Sequence, residues 1–149
     1  MKKLLITIIL LMFATNIFAY TSVEELATGE GNLEDIAKWI KTNIKYKQDT
    51  YDYWQKSEET LQLNTGDCED IAVLFYDTIK QYGYEAKIYI IGYKTQGHAL
   101  CIFKNRNNYW QIFDTAGLHE QWGSDLNQLI KYTYLGCNYF EEINPKWKN

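Results

Sequence analysis

Proline is almost missing from this chain: Pro145 is the only one in 149 residues. No Gly/Pro/Ser-rich stretch, internal repeat or low-complexity run is present either, which excludes a solenoid, a collagen-like repeat and an evident linker between two domains. Cysteine is scarce, with Cys68, Cys101 and Cys137 only, too few for a small disulfide scaffold. An odd count leaves at least one free thiol unless chains pair. If one thiol is at work, Cys101 and Cys137 remain as a pair or as two buried free cysteines, and the sequence leaves both open. Basic runs are lacking, and the net charge is −4. The electrostatic footprint of a nucleic-acid or anionic-membrane binder is therefore absent. No apolar run reaches the roughly 20 residues of a comfortable membrane span.

What is present begins with Met1-Lys2-Lys3, an apolar run from Leu4 to Ala14, and Thr15-Asn16-Ile17-Phe18-Ala19. A charged start, a short apolar stretch and a small residue at the end are the layout of a secretory leader. Residues 1–19 are expected to be a signal peptide and residues 20–149 a single domain, long enough for a real core. No cysteine follows the apolar run, so there is no lipoprotein acyl site. The expectation is a periplasmic or secreted monomer with no stable membrane span after leader removal.

Along the mature chain, Asn32 followed by Asp35 predicts a capped helix running to about Asn43. Leu33, Ile36, Ala37, Ile40 and Ile44 give it a buried stripe. Residues 45–66 read as a polar, aromatic loop with a short helical turn near Ser57–Leu63. A second helix is expected from Cys68 to Gly83, with Ile71, Ala72, Phe75, Ile79 and Tyr82 on its apolar face. The period then changes to two. Ala86–Lys94, His98–Phe103 and Tyr109–Asp114 read as strands, the last two joined through the polar turn 104–108. A further helix is expected over Ser124–Lys131, capped by Ser124, and Cys137–Ile143 as one more strand. Helices first and antiparallel strands afterwards indicate an α+β fold.

Gly66-Asp67-Cys68-Glu69-Asp70 puts a cysteine where a loop becomes a helix. There the unpaired N–H groups and the helix dipole favour a thiolate and can hold an oxyanion. The flanking acids oppose the thiolate, so an imidazolium is needed nearby. The chain has two histidines. His98 opens one strand and Asp114 ends the next, which suits a base and its orienter. His119 lies after the triad and is taken as a bystander. Each residue alone is weak evidence; in this order the three point to thiol catalysis, which requires no cofactor.

These segments resemble a known family. Gly66-Asp67-Cys68-Glu69-Asp70, Gly97-His98-Ala99 and Trp110…Asp114 are similar to the three core motifs of the transglutaminase-like superfamily. Trp54-Gln55-Lys56-Ser57-Glu58-Glu59-Thr60-Leu61 resembles the Trp-x-x-Pro-x-Glu-Thr-Leu run of the bacterial transglutaminase-like cysteine proteinases, with Ser57 where that group has proline. The resemblance covers about residues 33–116. It implies a papain-like/transglutaminase-like core, with Cys68 as nucleophile, His98 as general base and then acid, and Asp114 as orienter. It further implies a calcium site, since periplasmic members that release surface adhesins bind calcium through acids flanking the nucleophile, here Asp67 and Glu69. Two carboxylates alone fall short of the six to eight oxygens calcium prefers, and helix capping is the plainer role for them. Trp54 with its indole N–H and Gln55 with its amide are candidates for the second oxyanion donor, although Trp54 also suits a core lid. The expected function is an exported thiol hydrolase, a cysteine peptidase acting on a protein or peptide in the cell envelope. The alternatives are acyl transfer to an amine by the same triad, or a binding module that has lost turnover.

Overall fold

The computed structural model describes residues 19–93 and 96–144; the leader-like residues up to 18 lie outside these. The elements run α1 (Val23–Glu30), α2 (Leu33–Asn43), β1 (Lys45–Tyr46), α3 (Ser57–Leu63), β2 (Thr65–Gly66), α4 (Cys68–Lys80), β3 (Ala86–Tyr93), β4 (Gln96–Lys104), β5 (Trp110–Asp114), β6 (Gly117–Gly123), α5 (Leu126–Thr133) and β7 (Tyr139–Ile143). The fold is α+β, with helices leading into a five-stranded antiparallel sheet ordered β6-β5-β4-β3-β7.

Local signals account for most element ends. Asn32 caps α2, its Oδ1 accepting the Asp35 N–H at 2.9 Å, and Leu33, Ile36, Ala37 and Ile40 are buried as the spacing predicts. α4 ends at Lys80, short of the expected Gly83, because the backbone turns at Gly83 with φ +75°. Tyr82 therefore lies past the helix, 44 % exposed, its hydroxyl donating to the Ala27 carbonyl. Asp125, not Ser124, caps α5 by accepting the Gln128 N–H at 2.9 Å, so that helix starts two residues later than expected. α1 and β6 were not foreseen, and β7 begins at Tyr139 rather than Cys137.

Alternation along the strands explains the two-layered core. On β4, Ala99, Cys101 and Phe103 pack with α4 residues, while Leu100 and Ile102 join Leu129 and Ile130 of α5 on the other face. With both faces covered, the strand reads as a continuous apolar run rather than an alternating one. Phe75 of α4 stacks on Phe113 of β5 with ring centroids 3.9 Å apart, and meets Phe103 at 5.6 Å. That aromatic cluster presses α4 against the sheet along the line leading back to Cys68. No described helix is long and apolar enough to cross a membrane.

Candidate active site

Four pieces of chain meet at the start of α4. The parallel pair β1–β2, with Tyr46 opposite Gly66, ties the root of loop 47–56 to the turn before Cys68. Asp70 then pins that loop from inside the helix: its carboxylate accepts the N–H of Gln55 at 2.8 Å and of Asp67 at 3.1 Å. Gly66 makes this possible, since a Cβ there would stand 2.6 Å from Asp70 Cβ. The loop also holds itself, Asp49 accepting the N–H groups of Asp52 at 2.8 Å and Tyr53 at 2.5 Å. β4 supplies the opposite wall.

The result is a cleft of about 330 Å³ whose lining includes Cys68, His98, Trp54, Asp67, Glu69 and Ala99. His98 Nε2 lies 3.1 Å from Asp114 Oδ2, leaving Nδ1 as the other ring nitrogen. The pairing is diagonal. Cys101 stands opposite Phe113, so continuing that register would set Leu100, not His98, beside Asp114. His98 and Asp114 share a face of the sheet two positions apart, still within reach of long side chains.

The electrostatics around Cys68 differ from the expectation of a thiolate. Cys68 Sγ donates to Glu69 Oε2 at 3.2 Å. Burial first, then Glu69 and Asp67, push the thiol up to about 12, with only the Ala99 N–H working the other way. Burial and the adjoining Asp67 carboxyl likewise raise Glu69 to about 8. The helix start is real, but low dielectric and two acids outweigh its partial charge, worth typically 0.3–1 kcal/mol or roughly a unit of pKa at most on that scale.

Asp114 is buried, which alone would raise its pKa; hydrogen bonds from His119, His98 and Tyr134 more than offset this and hold it well below the ordinary carboxylate range. His119 is thus no bystander, since its Nε2 lies 3.1 Å from Asp114 Oδ1. The signal was in the pairing: β6 sets Gly117 opposite Asp114, which turns His119 to the Asp114 face, but β6 itself carries little apolar alternation to betray it. Tyr134, at the end of α5, donates to Asp114 Oδ2 at 2.5 Å and was not singled out by its sequence context.

Of the two candidates for an oxyanion donor, Trp54 lines the cleft and also packs into the core. Gln55 commits its side-chain oxygen to the Thr60 hydroxyl at 3.1 Å. All three cysteines are free; Cys101 is fully buried in the core under the sheet. Asp67, Cys68 and Glu69 hold their ligand-type atoms within 4.8 Å of one another. Asp67 Oδ1 is buried with no hydrogen-bond partner.

Comparison with known proteins agrees with this fold. The fold is similar to Legionella pneumophila LapG in its calcium-bound form, at 18 % identity and TM-score 0.59, covering 85 % of this chain and 75 % of that one. EGTA-treated LapG gives 19 % identity and TM-score 0.57, covering 80 % and 68 %. A Cytophaga hutchinsonii protein proposed to be a cysteine protease gives 19 % identity and TM-score 0.51; 85 % of this chain matches half of that one. No protein of curated function matches the sequence significantly. The sequence pattern of the transglutaminase-like superfamily matches residues 18–115, from before α1 to just past Asp114. This chain belongs to the transglutaminase-like superfamily.

Proposed function

We propose that this chain is an exported cysteine hydrolase that cleaves a peptide or isopeptide bond through an acyl-enzyme on Cys68. The observation that carries the reading is the meeting, in one cleft, of a cysteine at a helix N-terminus and a histidine held by a buried aspartate. His98 takes the thiol proton and the sulfur attacks the substrate carbonyl. The backbone N–H groups at the start of α4 receive the developing oxyanion. His98 then protonates the leaving amine, and in the second half-reaction draws a proton from the water that resolves the thioester. Asp114 keeps the imidazole in one orientation through both halves. The leader-like residues 1–19 support an envelope or extracellular setting, in which a protein substrate is the natural one.

Calcium fits the acids beside the nucleophile. A buried Asp67 oxygen without a partner, next to a second crowded carboxyl, is a hard-oxygen donor set lacking a counter-charge. Asp67 and Glu69 would hold the ion. When bound, it would supply positive charge that keeps both carboxyls ionised and removes their opposition to the thiolate. The likeness to LapG, known in calcium-bound and EGTA-treated forms, supports this reading.

The test is to incubate envelope proteins with the mature chain, calcium and a labelled primary amine. New N-termini that vanish in Cys68→Ser and His98→Ala are the expected result. Amine incorporation at glutamine without new termini would replace the hydrolase with an acyl transferase. Neither product, with no acyl-enzyme on Cys68, would leave a binding module.

A further inference from the structure

Four donors converge on Asp114. Its Oδ2 accepts from His98 Nε2 at 3.1 Å and the Tyr134 hydroxyl at 2.5 Å. Its Oδ1 accepts from the Ala116 N–H at 2.8 Å and His119 Nε2 at 3.1 Å. An ionised carboxylate offers about four lone-pair sites, so its accepting capacity is used in full. Only one of these donors is the triad histidine. The other three come from the turn after β5, from β6 and from the end of α5. They all lie beyond residue 115, where the superfamily match ends.

We propose that His119 and Tyr134 are positioning residues for the reaction, clamping Asp114 in the one orientation that offers Oδ2 to His98. This rests on the hydrolase reading of Cys68 and His98 given above. The terminal torsion of an aspartate is broad and nearly two-fold. A carboxylate bonded to His98 alone could swap its oxygens or tilt away, and the ring would follow. Donors on both oxygens remove that freedom. Asp114 is 4 % exposed, so water does not substitute readily for a lost donor. Neither His119 nor Tyr134 is among the residues lining the cleft, which separates them from substrate contact. The chain after Asp114 thus completes the catalytic apparatus, since β6 and α5 deliver its outer pair of donors.

The test is a set of variants read in three ways. Tyr134→Phe and His119→Ala should lower kcat by about 10²-fold, the scale of a small misplacement of a reacting group, with KM little changed. His119→Gln, whose amide N–H can stand where Nε2 does, should recover most of the loss. In an Asp114→Ala background neither substitution should add a further loss, because both act through that carboxylate. Nitrogen-15 NMR of His98 provides a readout independent of substrate. The wild type should show a single Nε2–H tautomer, and Tyr134→Phe and His119→Ala a mixture. Wild-type kcat with an unchanged tautomer, or losses that add in the Asp114→Ala background, would overturn the proposal. A chain that never turns over would refute the hydrolase reading instead, and the NMR comparison would still decide whether the clamp exists.

Discussion

Cys68 gives its thiol proton a hydrogen bond to its own neighbour, Glu69, at 3.2 Å. The side chain that follows Cys68 therefore stabilises the protonated sulfur. Removing that acceptor should reverse the effect. Glu69→Ala, which leaves no acceptor beside the sulfur, is expected to speed iodoacetamide alkylation of Cys68 at pH 9, above the Glu69 value of about 8, by about tenfold, one unit of pKa being tenfold in thiolate. Site-resolved mass spectrometry measures it, with Cys101 as an inert buried control. Equal rates in wild type and variant would mean that Glu69 does not govern the thiol.

The same acids set a pH dependence of stability. Burial, then the neighbouring Asp67, holds Glu69 up at about 8; burial, partly offset by the N–H groups of Gln55 and Asp67, holds Asp70 up at about 6. A carboxyl whose pKa is higher in the folded chain than in the unfolded one binds its proton more readily when folded. Its contribution to stability is lost as pH rises through the folded value. In chelator, Tm should therefore rise as the pH is lowered from about 8 to about 5. Asp114, held low, acts in the opposite sense, but only below its unfolded value of about 4, outside this window. Thermal melts across the range check the sign; a Tm that falls on acidification from pH 8 would contradict it.

Calcium should act on the same window. If Asp67 and Glu69 bind it, saturating calcium should raise Tm most at pH 8, where the acids most need a counter-charge, and a chelator should reverse the gain. Asp67→Asn should abolish the response. Melting curves that superimpose with and without chelator at pH 8 would remove the metal from the account.

Asp114→Asn should cost on the order of 10⁴ in turnover, the scale for losing the orienter of a comparable triad. It should also lower stability, unlike a purely catalytic change. An amide offers one accepting oxygen to four donors, and its NH₂ would face two of them, leaving buried groups unpaired at about 1–3 kcal/mol each. The chain is expected to fold, with circular dichroism like the wild type and a reduced Tm. Full activity would show that another group orients His98.

Gly66→Ala tests the coupling between the helix start and the loop. The new methyl would lie 2.6 Å from Asp70 Cβ, forcing Asp70 off the Gln55 N–H and loosening the wall that carries Trp54. A drop in kcat with Asp70 still in place by NMR would point to a different cause; an unchanged kcat and Tm would mean that the turn yields freely.

Much of this molecule is legible along the chain because its causes are local. A cap at Asn32 meets an amide three residues on; the periodicity of α2 and α4 follows from the turn of one helix; a cysteine at a loop-to-helix junction is visible in five residues. Helical spacing in the first half and period-two strands in the second were enough to anticipate the α+β fold. What lay beyond the sequence depended on register and on which chain segments return to which edge. β7 pairs with β3, across the sheet from β6, and no local signal specifies that choice. The diagonal reach from His98 to Asp114 follows from Cys101 facing Phe113. His119 becomes a partner of Asp114 only because Gly117 pairs opposite that aspartate, and Tyr134 only because α5 ends there. The balance at Cys68 is likewise tertiary. The sequence by itself determined where the thiol sits, at the positive end of a helix. What only the tertiary structure decided is the upward push on that thiol, from burial and from Glu69 and Asp67, because desolvation depends on everything packed around the sulfur and not on its neighbours in the chain alone.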